Sequence, residues 1–119
     1  MPKPIKLWSS KKGGKASQIG REVVREALRR GAKKKNFKPA VVFDMDETLI
    51  FNRDKYEDDL KITPNKTMKE LYDWLVSKGV TVFVVTARRR NNWSYNLIRK
   101  QLDGTGYNKV RGVYMVPKE

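Results

Sequence analysis

Asp44 and Asp46 stand one residue apart where the apolar run Val41-Val42-Phe43 ends, with Glu47 and Thr48 directly after them. Two carboxylates this close repel each other, and together they favour a hard cation or a shared proton. Magnesium suits them, because it takes one or two carboxylates and fills its remaining positions with water and substrate phosphate oxygens. A second apolar run, Val80-Thr81-Val82-Phe83-Val84-Val85, ends at Thr86, with Arg88, Arg89 and Arg90 just behind it. The Thr86 hydroxyl and the backbone N–H groups of an open turn after it are what an anion site needs. Carboxylates, a cation and an anion pocket imply phosphoryl transfer, with a carboxylate as nucleophile. The acids Glu57-Asp58-Asp59 read as a solvated loop rather than a second metal site.

The elements that must position these groups alternate strand and helix. Val41 to Phe43 favour a buried strand, and bare carboxylates cannot follow into its interior, so the chain surfaces at Asp44. Asp44 and Asp46 share one side if the backbone stays extended there. Phe51 to Thr63 is polar and acidic without a period, and reads as a flap over the carboxyl end of the strand. Thr63 caps a helix with Pro64 as its first residue; Met68, Leu71, Tyr72 and Leu75 form its buried stripe, and Gly79 ends it. The run to Thr86 is then a second buried strand, joined to the first by a right-handed parallel crossover. A helix from about Asn92 to Leu102 turns Trp93, Leu97 and Ile98 inward, and Val110 to Val116 makes a third strand. The fold class is α/β, with three parallel strands and crossover helices.

Charge divides the chain. Residues 1–38 carry 13 Lys/Arg against Glu22 and Glu26, whereas residues 39–119 carry 14 against 11 acids. The predicted organisation is a basic arm with an amphipathic helix over 1–38 and an α/β core over 39–119. Ser17 caps the arm's helix, Ile19, Val23, Ala27 and Leu28 form its apolar stripe, Arg21, Arg25, Arg29 and Arg30 occupy the other faces, and Gly31 ends it. Such an arm suits polyanions: nucleic acid, an anionic membrane or an acidic protein surface. Met1 to Lys15 reads as disordered on its own. Within it Trp8, beside Leu7 and Ile5, reads as an apolar anchor, with base stacking as the alternative. The absence of cysteine and histidine excludes disulfides, thiolate sites, the usual zinc ligands and histidine general bases. No apolar run reaches the roughly 18 residues of a membrane span, and no signal-peptide segment opens the chain. The reading is a protein of the cell interior, cytoplasmic, nuclear or associated with an assembly.

Phe43-Asp44-Met45-Asp46-Glu47-Thr48-Leu49 resembles the first motif, DxDxT, of the haloacid dehalogenase (HAD) superfamily. Val82-Phe83-Val84-Val85-Thr86-Ala87-Arg88 is similar to its second motif. The Asp-Glu-Thr variant, Asn96-Leu97 and Gly106-Tyr107 resemble class III acid phosphatase-like members. The motif order, flap and basic context resemble the 3′-phosphatase domain of phage-type polynucleotide kinases. The resemblance covers residues 39–116 and implies a partial Rossmann-like core. It also implies that Asp44 attacks phosphorus to give an aspartyl-phosphate, and that Asp46 protonates the leaving group and then activates water. By the same resemblance, magnesium binds the Asp44 carboxylate and the Asp46 main-chain carbonyl, Thr48 supports the turn, and Thr86 and Arg88 contact phosphate.

The family's third-motif lysine and fourth-motif acids have no clear counterparts. After Thr86 the only acids are Asp103 and Glu119, with Lys109 and Lys118 as default candidates for the lysine. The chain looks C-terminally incomplete, half of a catalytic domain. Its first strand is then an apolar edge that the N-terminal helix, a protein partner or a further C-terminal segment must cover. Two functions follow. One is a magnesium-dependent phosphomonoesterase acting on nucleic-acid or nucleotide phosphate; the other is a non-catalytic nucleic-acid-binding or assembly protein that keeps the half-fold.

Overall fold

A computed structural model describes residues 14–34, 36–52, 62–90 and 94–117. Trp8, Trp93, Lys118, Glu119, the acids at 57–59 and the centre of the expected flap lie outside them. Helix α1 (Gly14–Gly31) leads into strand β1 (Ala40–Asp44). Strands β2 (Ile50–Asn52) and β3 (Ile62–Pro64) follow, then helix α2 (Lys66–Ser77), strand β4 (Thr81–Arg89), helix α3 (Tyr95–Gly104) and strand β5 (Gly112–Val116).

The main sheet has the order β1-β4-β5, all parallel, with Ala40 opposite Thr81, Asp44 opposite Val85, and Val84 opposite Val113. This is the α/β architecture expected from the sequence. Both crossovers step the same way across the sheet, and right-handed connections then place α2 and α3 on one face. Burial agrees. Phe43, Val82 and Val84 pack beneath Met68, Leu71 and Leu75 of α2 and Ile98 and Leu102 of α3. On the other face Val42, Val85 and Tyr114 stay 58%, 40% and 60% exposed, which is unusual for a parallel sheet.

Several boundaries differ from expectation. Asn65, not Thr63, caps α2: its side chain accepts from Met68 N–H, while Thr63 and Pro64 belong to β3. The ends of the expected flap therefore form a short antiparallel ribbon, with Phe51 opposite Thr63. Ser94 caps α3 by accepting from Leu97 N–H, two residues after the expected start. Leu97 is half-buried, and the inward stripe is Ile98, Gln101 and Leu102. β4 runs on through Arg89 rather than stopping at Thr86.

In α1 the buried line is rotated from the expected stripe. Ala16, Ser17 and Gly20 are buried and Val24 and Leu28 pack on the core, while Ile19 lies 36% exposed. Ser17 sits inside the helix rather than capping it. Small residues at 16, 17 and 20 allow a close approach, and Arg21 and Arg25 lie over the Trp74 ring of α2, each 5.3 Å from its centroid. α1 thus docks on α2, and β1 is an edge strand of the sheet, whose other face keeps Val42, Val85 and Tyr114 exposed.

This asymmetry makes a simple prediction. Leu75→Ala, under α2, should lower unfolding free energy by about 2–5 kcal/mol in a denaturant titration. Val42→Thr, on the open face, should change it by less than about 1 kcal/mol.

Candidate active site

The first acidic loop is held by its apolar members. Met45, Leu49 and Ile50 are fully buried, while Asp44, Asp46, Glu47 and Thr48 between and beside them keep access to solvent. Met45 N–H donates to the Val85 carbonyl, the last sheet-like bond of β1. The Met45 carbonyl then accepts from Leu49 N–H at 3.0 Å and Ile50 N–H at 3.2 Å, and Glu47 N–H returns to the Ile50 carbonyl at 2.8 Å. Glu47 takes a left-handed backbone, φ 59°, to close this turn. The backbone therefore does not stay extended to Asp46: the two aspartates flank a turn at Met45 instead of occupying alternate positions of one strand.

Asp44 projects from the carboxyl end of β1, in register with the exposed Val85. Thr48 Oγ donates to its Oδ2 at 3.4 Å. Burial pushes the Asp44 carboxyl above its ordinary pKa, and the charge of Asp46 pushes the same way. The Thr48 hydroxyl and Met45 N–H oppose the shift. Among the described residues no cation pairs with Asp44.

Asp46 is held differently. Arg88 Nε donates to its Oδ2 at 3.0 Å and Arg88 Nη2 to its Oδ1 at 2.6 Å, a two-point clasp across the sheet. The Arg88 side chain is 6% exposed, and its Nη1 donates to Oε1 of buried Gln101 on α3 at 2.6 Å. Arg88, expected at a phosphate, is thus committed to the acidic loop and α3 in this arrangement. Gln101 was not singled out from the sequence, although a polar residue on the Ile98–Leu102 stripe is the kind of signal that marks a buried partner.

Thr86 is 6% exposed inside β4, and its Oγ accepts from Arg88 N–H at 3.2 Å. The alternation along β4 buries Val82, Val84, Thr86 and Arg88 and exposes Val85. The Thr86 side chain therefore lies on the helix-covered face, whereas Asp44 belongs to the open one. The open turn expected after Thr86 is replaced by a strand with a register shift against β5 between Val85 and Arg89. The structure joins Asp44 with Thr48 and Asp46 with Arg88.

As for a metal, no group of three or more His, Cys, Asp or Glu side chains comes together among the described residues. The donors that remain are the Asp44 carboxylate, the Asp46 carbonyl and the clasped Asp46 carboxylate. The Asp44 carboxylate and the Asp46 carbonyl are oxygen donors of the type magnesium takes, whereas both Asp46 carboxylate oxygens are held by Arg88. No helix among the described residues is long and apolar enough to cross a membrane.

No protein-family model matches the chain, and no curated protein matches it. Among solved structures it is similar to the class C acid phosphatase from Bacillus anthracis with tungstate bound, with a TM-score of 0.62 and 17% identity. The match covers 89% of this chain and 50% of that one, so this chain spans half the length of the enzyme it resembles. The likeness supports a HAD-like fold.

Two expectations follow from the site. Replacing Asp44 by Asn removes a charge that the fold disfavours, so the variant should be more stable than the parent at pH 7. Because the folded pKa is raised, the parent loses stability as pH climbs through the ordinary carboxylate range; the difference should close below it, as melting at pH 3 and pH 7 would show. A double-mutant cycle with Arg88→Met and Asp46→Asn should give a coupling of about 1–3 kcal/mol in denaturant unfolding.

Proposed function

We propose that the chain carries the nucleophile-bearing half of a magnesium-dependent phosphohydrolase that acts on phosphomonoesters through an aspartyl-phosphate. The observation that supports this reading is Asp44 itself: a carboxylate at the carboxyl end of a parallel strand, bonded by Thr48, beside a second carboxylate and paired with no described cation. The similar fold of a class C acid phosphatase is consistent with it.

In this reading an Asp44 oxygen attacks phosphorus and the ester P–O bond breaks. The leaving oxygen takes a proton from Asp46. In the second half Asp46 takes a proton from water as the water oxygen attacks the same phosphorus, which frees phosphate and restores Asp44. Both Asp46 oxygens accept from Arg88 in the described arrangement, so donating a proton requires one of these bonds to open. Thr86 keeps its own O–H beyond the bond it accepts from Arg88 N–H, but it lies on the helix-covered face, so bonding a phosphate on Asp44 requires the end of β4 to open. Magnesium, held by the Asp44 carboxylate and the Asp46 carbonyl, would supply charge neutralisation at the phosphate. A net charge of +14 favours nucleic-acid or nucleotide phosphate as substrate.

A second reading is a non-catalytic protein that retains the half-fold for binding or assembly. The clasped state of Asp46 and the place of β1 at the edge of the sheet favour it. Hydrolysis of 4-nitrophenyl phosphate separates the two. The enzyme reading expects turnover that needs magnesium and falls at least about a thousandfold in Asp44→Asn, as loss of a nucleophile demands. Unchanged turnover in that variant would reject the mechanism, and no turnover in the parent would favour the second reading.

A further inference from the structure

At the opposite pole of the sheet from Asp44, α1 ends against the first residues of β1 and β4 around an open hollow of about 490 Å³. Phe37, Lys34, Lys38, Lys78 and Asn36 line it, and no acidic residue does among the described residues. Phe37 is a large hydrophobic left 39% exposed. Its ring lies flat against Gly31, where an added Cβ would collide with the ring carbons, so a bare glycine is what lets the ring sit there. Asn36, just before it, holds a left-handed backbone at φ 64°, a conformation that Asn tolerates better than most residues. A fixed aromatic ring with one outward side, ringed by three lysines, is the composition of a stacking platform for a base with flanking phosphates.

We infer that this hollow binds single-stranded nucleic acid, with an unpaired base on Phe37 and the neighbouring phosphates on Lys34, Lys38 and Lys78. A membrane surface fits less well, because the apolar line of α1 is already used against α2 and the hollow offers only one exposed ring. A duplex fits less well too, since its bases present no free face. The platform precedes β1 while Asp44 ends it, a separation of roughly 20 Å at 3.3 Å per residue. The site therefore holds a strand at a distance from the carboxylates, and it does not depend on their chemistry.

Fluorescence anisotropy of a labelled oligothymidylate with the full chain tests this without reading catalysis. The parent should bind at about 50 mM salt and weaken steeply as salt rises. Lys34→Glu/Lys38→Glu/Lys78→Glu should reduce the slope of log K against log salt by about 2, from three lost contacts at about 0.7 each. Phe37→Leu keeps an apolar side chain over Gly31 without a π face and should bind roughly tenfold more weakly, with Phe37→Trp restoring affinity and circular dichroism confirming the fold. Parental binding by the Leu variant or by the triple variant would overturn the proposal. So would displacement of the oligonucleotide by thymidine monophosphate at equal affinity, or by phosphatidylserine vesicles.

Discussion

The peptide of Met45 is the hinge on which the rest of the site depends. Its N–H closes the ladder to β4 and its carbonyl gathers the N–H groups of Leu49 and Ile50, so the chain turns within one residue of the sheet. Met45, Leu49 and Ile50 are then wholly buried in the core, and the hydrophilic residues between them are forced to its rim. Backbone polar groups that enter such an interior must find partners, and each of these does. Burial of three apolar side chains, at roughly 1.5–3 kcal/mol each, supports a turn that places two like charges side by side.

That turn is braced from the helix side. Tyr107, after α3, donates its hydroxyl to the Leu49 carbonyl at 2.6 Å and meets Tyr72 of α2 edge-on at 5.0 Å between centroids. The Tyr72 hydroxyl accepts from Lys109 N–H in turn. Burial pushes the Tyr107 hydroxyl above its ordinary pKa, so it remains a donor at any physiological pH. With Arg88 and Gln101 linking Asp46 to α3, the acidic loop is tied to both helices through polar atoms that the sheet alone does not supply. On the opposite face of the sheet no described element plays that part: Val42, Val85 and Tyr114 are exposed there, and the Phe83 and Tyr114 rings meet at 6.1 Å.

Much of this architecture was legible in the residue order. The β-branched runs before Asp44 and Thr86 are strands, the Met68-Leu71-Tyr72-Leu75 stripe is buried as its spacing requires, and Gly79 ends α2 with φ 75°. These features depend on local periodicity, which sequence records directly. Where local signals compete, the reading slipped. Thr63-Pro64 is a good helix start in isolation, but pairing with Ile50 and Phe51 recruits both residues into β3, and Asn65 caps instead. In α1 the small residues decided the buried line, because contact distance to α2 outweighs side-chain hydrophobicity there.

By itself the sequence determined the α/β class, the order of the elements, and the delivery of Asp44, Asp46 and Thr48 to the end of a strand. An apolar run that meets carboxylates has to surface, wherever the rest of the chain goes. The tertiary structure alone decided which partners these groups meet. Arg88 lies 42 residues from Asp46 along the chain, and only strand register and the alternation of β4 bring its guanidinium onto that carboxylate while turning Thr86 to the covered face. Gln101 joins them because α3 packs on the same face of the sheet as the Arg88 side chain, and Phe37 becomes a platform because α1 ends in a glycine beneath it. Such contacts depend on distances across the fold, which residue order does not encode locally.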